Sequence, residues 1–216
     1  MHDTIQKLIH IEKLVKSKET NSKKITIVAV SKTFTLDKIL PLIDYGHLHY
    51  GENKVQEALD KWSEIKKKKP EIELHLVGKL QTNKVKFALK IFNFIHSVDN
   101  KKLAKKIADE QLKKNKKVKI FIQVNIGNEP QKSGVMKEEL DTLYTYCKNL
   151  NLNIIGLMCI PPENLNPEPF FKELVKLNSN LRLSELSMGM SSDFKQAIEN
   201  SSTFIRVGSN IFGERN

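Results

Sequence analysis

Residues 25–53 read ITIVAVSKTFTLDKILPLIDYGHLHYGEN. The first six are apolar or β-branched almost without interruption, as in a strand buried on both faces. After a short polar break, Thr35 stands before Leu36-Asp37 where a helix cap would stand, and residues 36–45 carry helical spacing. A second short apolar run, 47–51, leads into Glu52-Asn53. Strand, helix and strand in this order make a βαβ unit, and such units build parallel sheets.

The pattern continues outward from this stretch. Strand-like runs cover 72–77, 94–98, 119–125, 153–159, 185–189 and 204–208, which with 25–31 and 47–51 makes eight. Helix-like segments cover 36–45, 54–68, 83–92, 101–114, 137–149, 169–178 and 192–200, with Asp99-Asn100 as a further cap before Lys101. Eight such units predict an α/β fold, a single-domain (β/α)8 TIM barrel, in preference to an open doubly wound sheet. The 216 residues lie at the short end for this architecture, so the loops must be compact. No Pro/Gly/Ser-rich linker interrupts the chain, and one domain over 1–216 is expected.

Composition narrows the function classes. Hydrophobic residues are 39% and charged residues 28%, which suits a folded soluble domain. No apolar run approaches the roughly 20 residues of a membrane helix. Residues 1–19, MHDTIQKLIHIEKLVKSKE, read as an amphipathic helix and lack the features of a signal peptide. Only Cys147 and Cys159 occur, too few for a disulfide scaffold or a Cys-rich zinc site. A cytoplasmic protein with no membrane partner is expected. The net charge is +11, from 36 basic and 25 acidic residues, but arginine occurs only at 182, 206 and 215. Nucleic-acid readers favour arginine forks and stacking aromatics, whereas here the lysine clusters (66–69; 113, 114, 116 and 117) fall at the ends of expected helices. No nucleic-acid partner is expected.

In a barrel of this kind chemistry collects at the C-terminal ends of the strands. The polar residues gather there. The loops after the last two strands hold Gly189, Ser191 and Asp193, and Gly208 and Ser209. Each loop alone reads as a tight turn; paired after strands seven and eight they suit a phosphate, bound by backbone N–H groups and hydroxyls. Asp193 would repel an anion and is expected to cap the following helix. Lys32 directly follows the first apolar strand. It is either a lysine that snorkels to solvent or an amine at the barrel mouth, whose desolvation would free it as a nucleophile. With a phosphate cradle in the same mouth, the second reading suits a phosphorylated aldehyde held as a Schiff base. Arg206, on the last strand, must meet an anion, a carbonyl or a ring nitrogen. A pyridine nitrogen facing it would stay unprotonated and make a weaker electron sink.

Other chemistry is poorly supported. His47, His49, His75 and His96 lack metal-ligand spacing, and their alternation suits strand faces, so no metal is expected. Glu52 is read as a loop-ordering carboxylate more readily than as a base. No GxGxxG, P-loop or GxSxG motif occurs.

Six stretches together resemble one family: AVSKTFTLDKIL (29–40), HYGENKVQEALDKW (49–62), HLVGKLQTNK (75–84), LMCIPP (157–162), LSMGMSSDFKQAI (186–198) and RVGSNIFG (206–213). In order and spacing they are similar to the pyridoxal phosphate homeostasis proteins, the YggS/PROSC family. The resemblance implies a barrel like the N-terminal domain of alanine racemase, with pyridoxal 5′-phosphate (PLP) as cofactor. It implies that Lys32 is the Schiff-base lysine, that Ser191, Gly208 and Ser209 bind the phosphate, that Arg206 faces the pyridine nitrogen, and that Asn53 faces the ring. Ser209 stands where threonine is frequent in the family and keeps the hydroxyl. Racemases of this fold use a second base from an additional domain, and this sequence stops at Asn216, just after the last strand. The expectation is therefore a non-enzymatic monomer that buffers and delivers PLP to apo PLP-dependent enzymes, with no catalytic residue. The alternative is a weak PLP-dependent amino-acid racemase or a related side activity. Lys84 and Lys132, in loops at the expected mouth, are candidates to accept the aldehyde during release.

Overall fold

The computed structural model of the chain describes residues 2–18 and 24–214. Eight parallel strands close into a barrel in sequence order: β1 Thr26–Val30, β2 His49–Glu52, β3 Glu73–Leu76, β4 Phe94–Val98, β5 Lys119–Gln123, β6 Asn153–Met158, β7 Glu185–Ser187 and β8 Phe204–Val207. Closure is made by β1 against β8, with Val28 opposite Arg206 and Ala29 opposite Val207. Around the sheet lie α1 Asp3–Lys16, α2 Leu36–Tyr45, α3 Val55–Lys68, α4 Val85–Ile91, α5 Lys101–Lys114, α6 Leu140–Asn149, α7 Glu168–Asn180, α8 Phe194–Glu199 and α9 Ser209–Phe212.

All eight expected strands form, each trimmed by no more than a residue or two at most ends. Two expected helices open as 3₁₀ turns, Thr82–Lys84 before α4 and Lys137–Glu139 before α6, the usual way to tighten a first turn. The Asn100 side chain accepts the Leu103 N–H at 2.9 Å and caps α5 as expected. Thr35 makes no such bond to α2. The N-terminal amphipathic helix is present as α1, which buries Leu8, Ile11 and Val15; Met1 and Glu19 of the expected stretch lie outside the described residues. Lys66, Lys67 and Lys68 occupy the last turn of α3, and Lys113 and Lys114 that of α5. There they face the negative end of the helix dipole. No helix is long and apolar enough to cross a membrane, and no group of metal-ligating side chains occurs, among the described residues.

The alternation of the strands creates two cores. Outward residues such as Ile27, Ala29, Leu74, Leu76, Ile205 and Val207 pack beneath the helices. Inward residues fill the barrel: Val28, Val30, Phe94, Phe121, Met158 and Phe204. Following the inward parity past the strand ends leads from Val28 and Val30 to Lys32, from His49 and Gly51 to Asn53, and from Phe204 and Arg206 to Gly208. The strand period thus aims these side chains into the barrel mouth.

Candidate functional site

The mouth holds a cleft of about 480 Å³. Lys32, Asn53, Ser191, Arg206, Gly208 and Ser209 all line it, so the six residues singled out in the sequence converge on one space. Apolar walls come from Val30, Val77 and Ile160, with Met190 at the rim.

The backbone around Lys32 is held from behind by α3. Ser31, fully buried, donates from Oγ to Glu52 Oε1 at 2.8 Å. Lys61 Nζ donates to the Ser31 carbonyl (2.9 Å), to Glu52 Oε1 (3.0 Å) and to Glu57 Oε1 (3.1 Å). Trp62 Nε1 donates to the same Glu52 oxygen at 3.0 Å. On the other side of Lys32, the Thr33 N–H donates to Glu57 Oε1 at 2.6 Å, and Thr33 adopts a left-handed φ of 67°. A β-branched residue rarely takes that conformation unaided. Burial raises the Glu57 pKa, but the Thr33 amide and the Lys61 ammonium outweigh it and leave it below the usual value. Glu52 points away from the barrel interior, against Trp62 and Lys61. It orders the strand end and is not placed as a base in the cleft; its Oε2 is buried with no partner.

The opposite loops are built around close backbone approach. The Gly208 N–H donates to Ser191 Oγ at 3.2 Å, and Asn210 Nδ2 donates to the Ser191 carbonyl at 2.9 Å, which ties the loop after β7 to the start of α9. Gly189 has φ +93°, and a Cβ there would lie 2.5 Å from Ala197 Cβ. Asp193 departs from its expected role. Its Oδ1 accepts the Met190 N–H at 2.6 Å, folding back onto the loop, and it makes no cap bond to α8. Asn53 is set by a similar approach, since a Cβ on Gly78 would lie 2.5 Å from the Asn53 carbonyl oxygen.

Arg206 is 4% exposed, and its charge is met by neutral acceptors: Nη1 donates to Ser187 Oγ at 2.7 Å and Nη2 to the Cys159 carbonyl at 2.9 Å. Burial pulls its pKa below the ordinary arginine value, which still leaves a guanidinium charged. The Cys159 thiol, buried beside it, is pushed up to about 12 and is no nucleophile. Sequence reasoning missed Lys61, Glu57 and Ser187. For Ser187 a signal existed, because it ends β7 on a strand next to Arg206. For Lys61 and Glu57 the i, i+4 spacing on a helix was visible, but not its target.

Lys132 and Lys84 do not line this cleft with Lys32. Lys132 is held by Glu129 at 2.7 Å and donates to the Pro161 carbonyl at 3.2 Å. Lys84 lies 6.0 Å from the centre of the Phe87 ring. Of the four histidines, His49, His75 and His96 lie in strands as expected, whereas His47 lies in the loop before β2; burial drives all four pKa values down, His47 and His49 to about 4, His75 and His96 well below the ordinary value.

Comparison with known proteins gives a consistent neighbourhood. The family model described as alanine racemase, N-terminal domain, matches residues 8–216. The pyridoxal phosphate homeostasis protein of Aquifex aeolicus is 41% identical over 199 residues, covering 88% of this chain and 86% of the relative. That of Escherichia coli strain K12 is 32% identical over 229 residues, covering 100% and 98%. Among solved structures, PipY of Synechococcus elongatus with PLP bound superposes with a TM-score of 0.87 at 32% identity, over 97% of this chain and 100% of that one. Alanine racemase of Clostridium difficile shares the fold at a TM-score of 0.75 and 12% identity, over 99% of this chain and 57% of that one.

Proposed function

The chain belongs to the family of pyridoxal phosphate homeostasis proteins, built on the alanine racemase N-terminal barrel, and from that premise we propose that it binds PLP, holds it as a Schiff base on Lys32, and serves intracellular PLP homeostasis as a monomeric buffer and donor to apo PLP-dependent enzymes, without robust turnover of its own. The observation that carries this reading is the convergence of an amine, a buried guanidinium and two hydroxyl-bearing Gly-Ser loops on one cleft.

PLP supplies an aldehyde that an amine can capture, a phosphate dianion and an electron-withdrawing ring. The residues present fit each part. Lys32 is the one amine lining the cleft among the described residues. The Ser191 and Ser209 hydroxyls and the first N–H groups of α9, which have no intrahelical partner, hold the phosphate. Val30, Val77 and Ile160 exclude water from the ring faces, with Asn53 beside them. Arg206 presents donors only, so the atom it meets on the ring is an unprotonated nitrogen.

The same inventory supports storage over catalysis. Lys32 and Arg206 are the ionisable side chains lining the cleft among the described residues. Stereochemical inversion needs a proton removed on one face and delivered on the other, and a permanently charged guanidinium does neither. Incubation of the PLP-loaded protein with an apo PLP-dependent enzyme is expected to restore that enzyme's activity. Meanwhile, L-alanine in deuterated water is expected to keep its α-proton. Fast α-proton exchange without reactivation of the recipient would replace the carrier reading with the weak-racemase one.

A further inference from the structure

Behind Arg206 the barrel interior contains a continuous polar chain in an otherwise apolar core. His96 Nδ1 lies 2.8 Å from Ser187 Oγ, His96 Nε2 lies 3.0 Å from His75 Nδ1, and His75 Nε2 lies 3.0 Å from His49 Nδ1. Ser187, His96 and His75 are buried, and His49 is half-buried at the start of β2. Phe rings cover the imidazoles: His75 stacks on Phe94 at 4.1 Å and 13°, and His96 on Phe121 at 4.4 Å and 26°.

The direction of this chain follows from donor chemistry. A guanidinium only donates, so Ser187 Oγ accepts from Arg206. The hydroxyl has one proton, and among the described residues the acceptor within reach of it is His96 Nδ1; a proton on that nitrogen would leave the buried hydroxyl hydrogen unpaired, so Nδ1 is the acceptor. A neutral imidazole with a bare Nδ1 carries its proton on Nε2, which donates to His75 Nδ1. The same logic passes through His75 Nε2 to His49 Nδ1. All three rings are thereby fixed as Nε2–H tautomers. Protonating Nδ1 of His75 or His49 would set two N–H donors against each other, and at His96 it would strand the Ser187 hydroxyl proton and add a second positive charge near Arg206. The groups that face the chain reinforce its neutrality: Arg206 bears on His96, Lys119 and His47 lie near His75, and Lys119 lies near His49.

We propose that Ser187, His96, His75 and His49 form a directional relay of positioning residues that presents Arg206 with a fixed acceptor and so sets the guanidinium that meets the PLP ring. The proposal rests on the PLP reading for its outcome at the ring, but the tautomers exist without any ligand. The relay differs in kind from an ion pair. It orients a buried charge with dipoles alone and brings no counter-charge close to the ring nitrogen.

The test has two readings that fail independently. Nitrogen-15 NMR of the cofactor-free protein, labelled in histidine, should find His49, His75 and His96 neutral at pH 7 with the proton on Nε2. Ser187→Ala should then weaken PLP binding at least about tenfold, the scale of one hydrogen bond to a charged group. It should also shift the visible band of the bound PLP and free the His96 tautomer, while Ser187→Thr, which keeps the hydroxyl, should restore all three. A proton on Nδ1 of any of the three rings in the wild type overturns the relay, whether or not PLP binds. So does a Ser187→Ala protein with wild-type affinity and spectrum. Loss of PLP binding by the wild type itself, with the tautomers as stated, would instead sink the PLP reading and leave the relay standing.

Discussion

The two functional walls of the cleft are supported by opposite means. Behind Lys32 stands a charged network: Lys61 reaches two carboxylates and a carbonyl, and together they grip the residues on either side of the lysine. Behind Arg206 stands a neutral one, a hydroxyl and three imidazoles kept uncharged by burial. The difference matches what each residue must do. Lys32 needs a fixed backbone, and the hydrogen bonds from Lys61 to the Ser31 carbonyl and from the Thr33 N–H to Glu57 fix the main chain on either side of it. Arg206 needs a fixed side chain, and a carboxylate partner would compete with the ring for its donors.

Removing one charge should break the first wall most severely. Lys61→Met leaves Glu52, fully buried, without its ammonium, and a buried pair broken on one side costs about 3–5 kcal/mol; urea denaturation would measure it. The two walls should also separate by pH. The histidines are held neutral below their ordinary value of 6.5, so the unfolded chain binds more protons once the pH drops beneath it. Stability is then full above 6.5 and falls as the pH drops towards 4, by about 1.4 kcal/mol per unit for each histidine. Glu57 follows the same sign in a lower window. Its folded pKa is depressed, so its contribution is present above the ordinary value of 4.5 and lost beneath it. Denaturation midpoints between pH 7.5 and 4 should therefore slope in wild type and slope less steeply in His49→Gln, which loses one of the four depressed histidines and keeps His47, His75 and His96. Glu57→Gln is a smaller change, expected to cost about 1–2 kcal/mol through the weakened bond to the Thr33 N–H. The smallest effect is at Thr33→Gly. Relief of the left-handed strain, about 1 kcal/mol, is largely cancelled by the greater freedom of glycine in the unfolded chain, so the midpoint should barely move.

The same contrast marks what could be read from the sequence. The strands were legible because apolar runs buried on both faces are contiguous, as in 25–31 against the observed Thr26–Val30. The six cleft residues were legible because each lies at or just past the C-terminal end of a strand, Arg206 within β8 itself, and in a barrel all eight strand ends share one mouth. The helix α9 was not, since four residues carry no periodicity. Lys61 and Glu57 were not either, because their targets, the Ser31 carbonyl and the Thr33 amide, meet them only when α3 packs on the barrel. The histidine chain depends on register across β2, β3 and β4 and on a link to β7, none of which is a local property. The alternation of His47 and His49 suggested a strand face, but only His49 lies in β2, and nothing in the pattern said what it would touch.

The most direct measurement is borohydride reduction of the PLP-loaded protein followed by peptide mapping, on wild type and Lys32→Ala. A visible imine band that reduction removes, with the label on the peptide containing Lys32 and neither band nor label in the variant, is the result predicted here. A wild type without a reducible band, or a label on Lys84 or Lys132 that persists in Lys32→Ala, would contradict the assignment of the cleft.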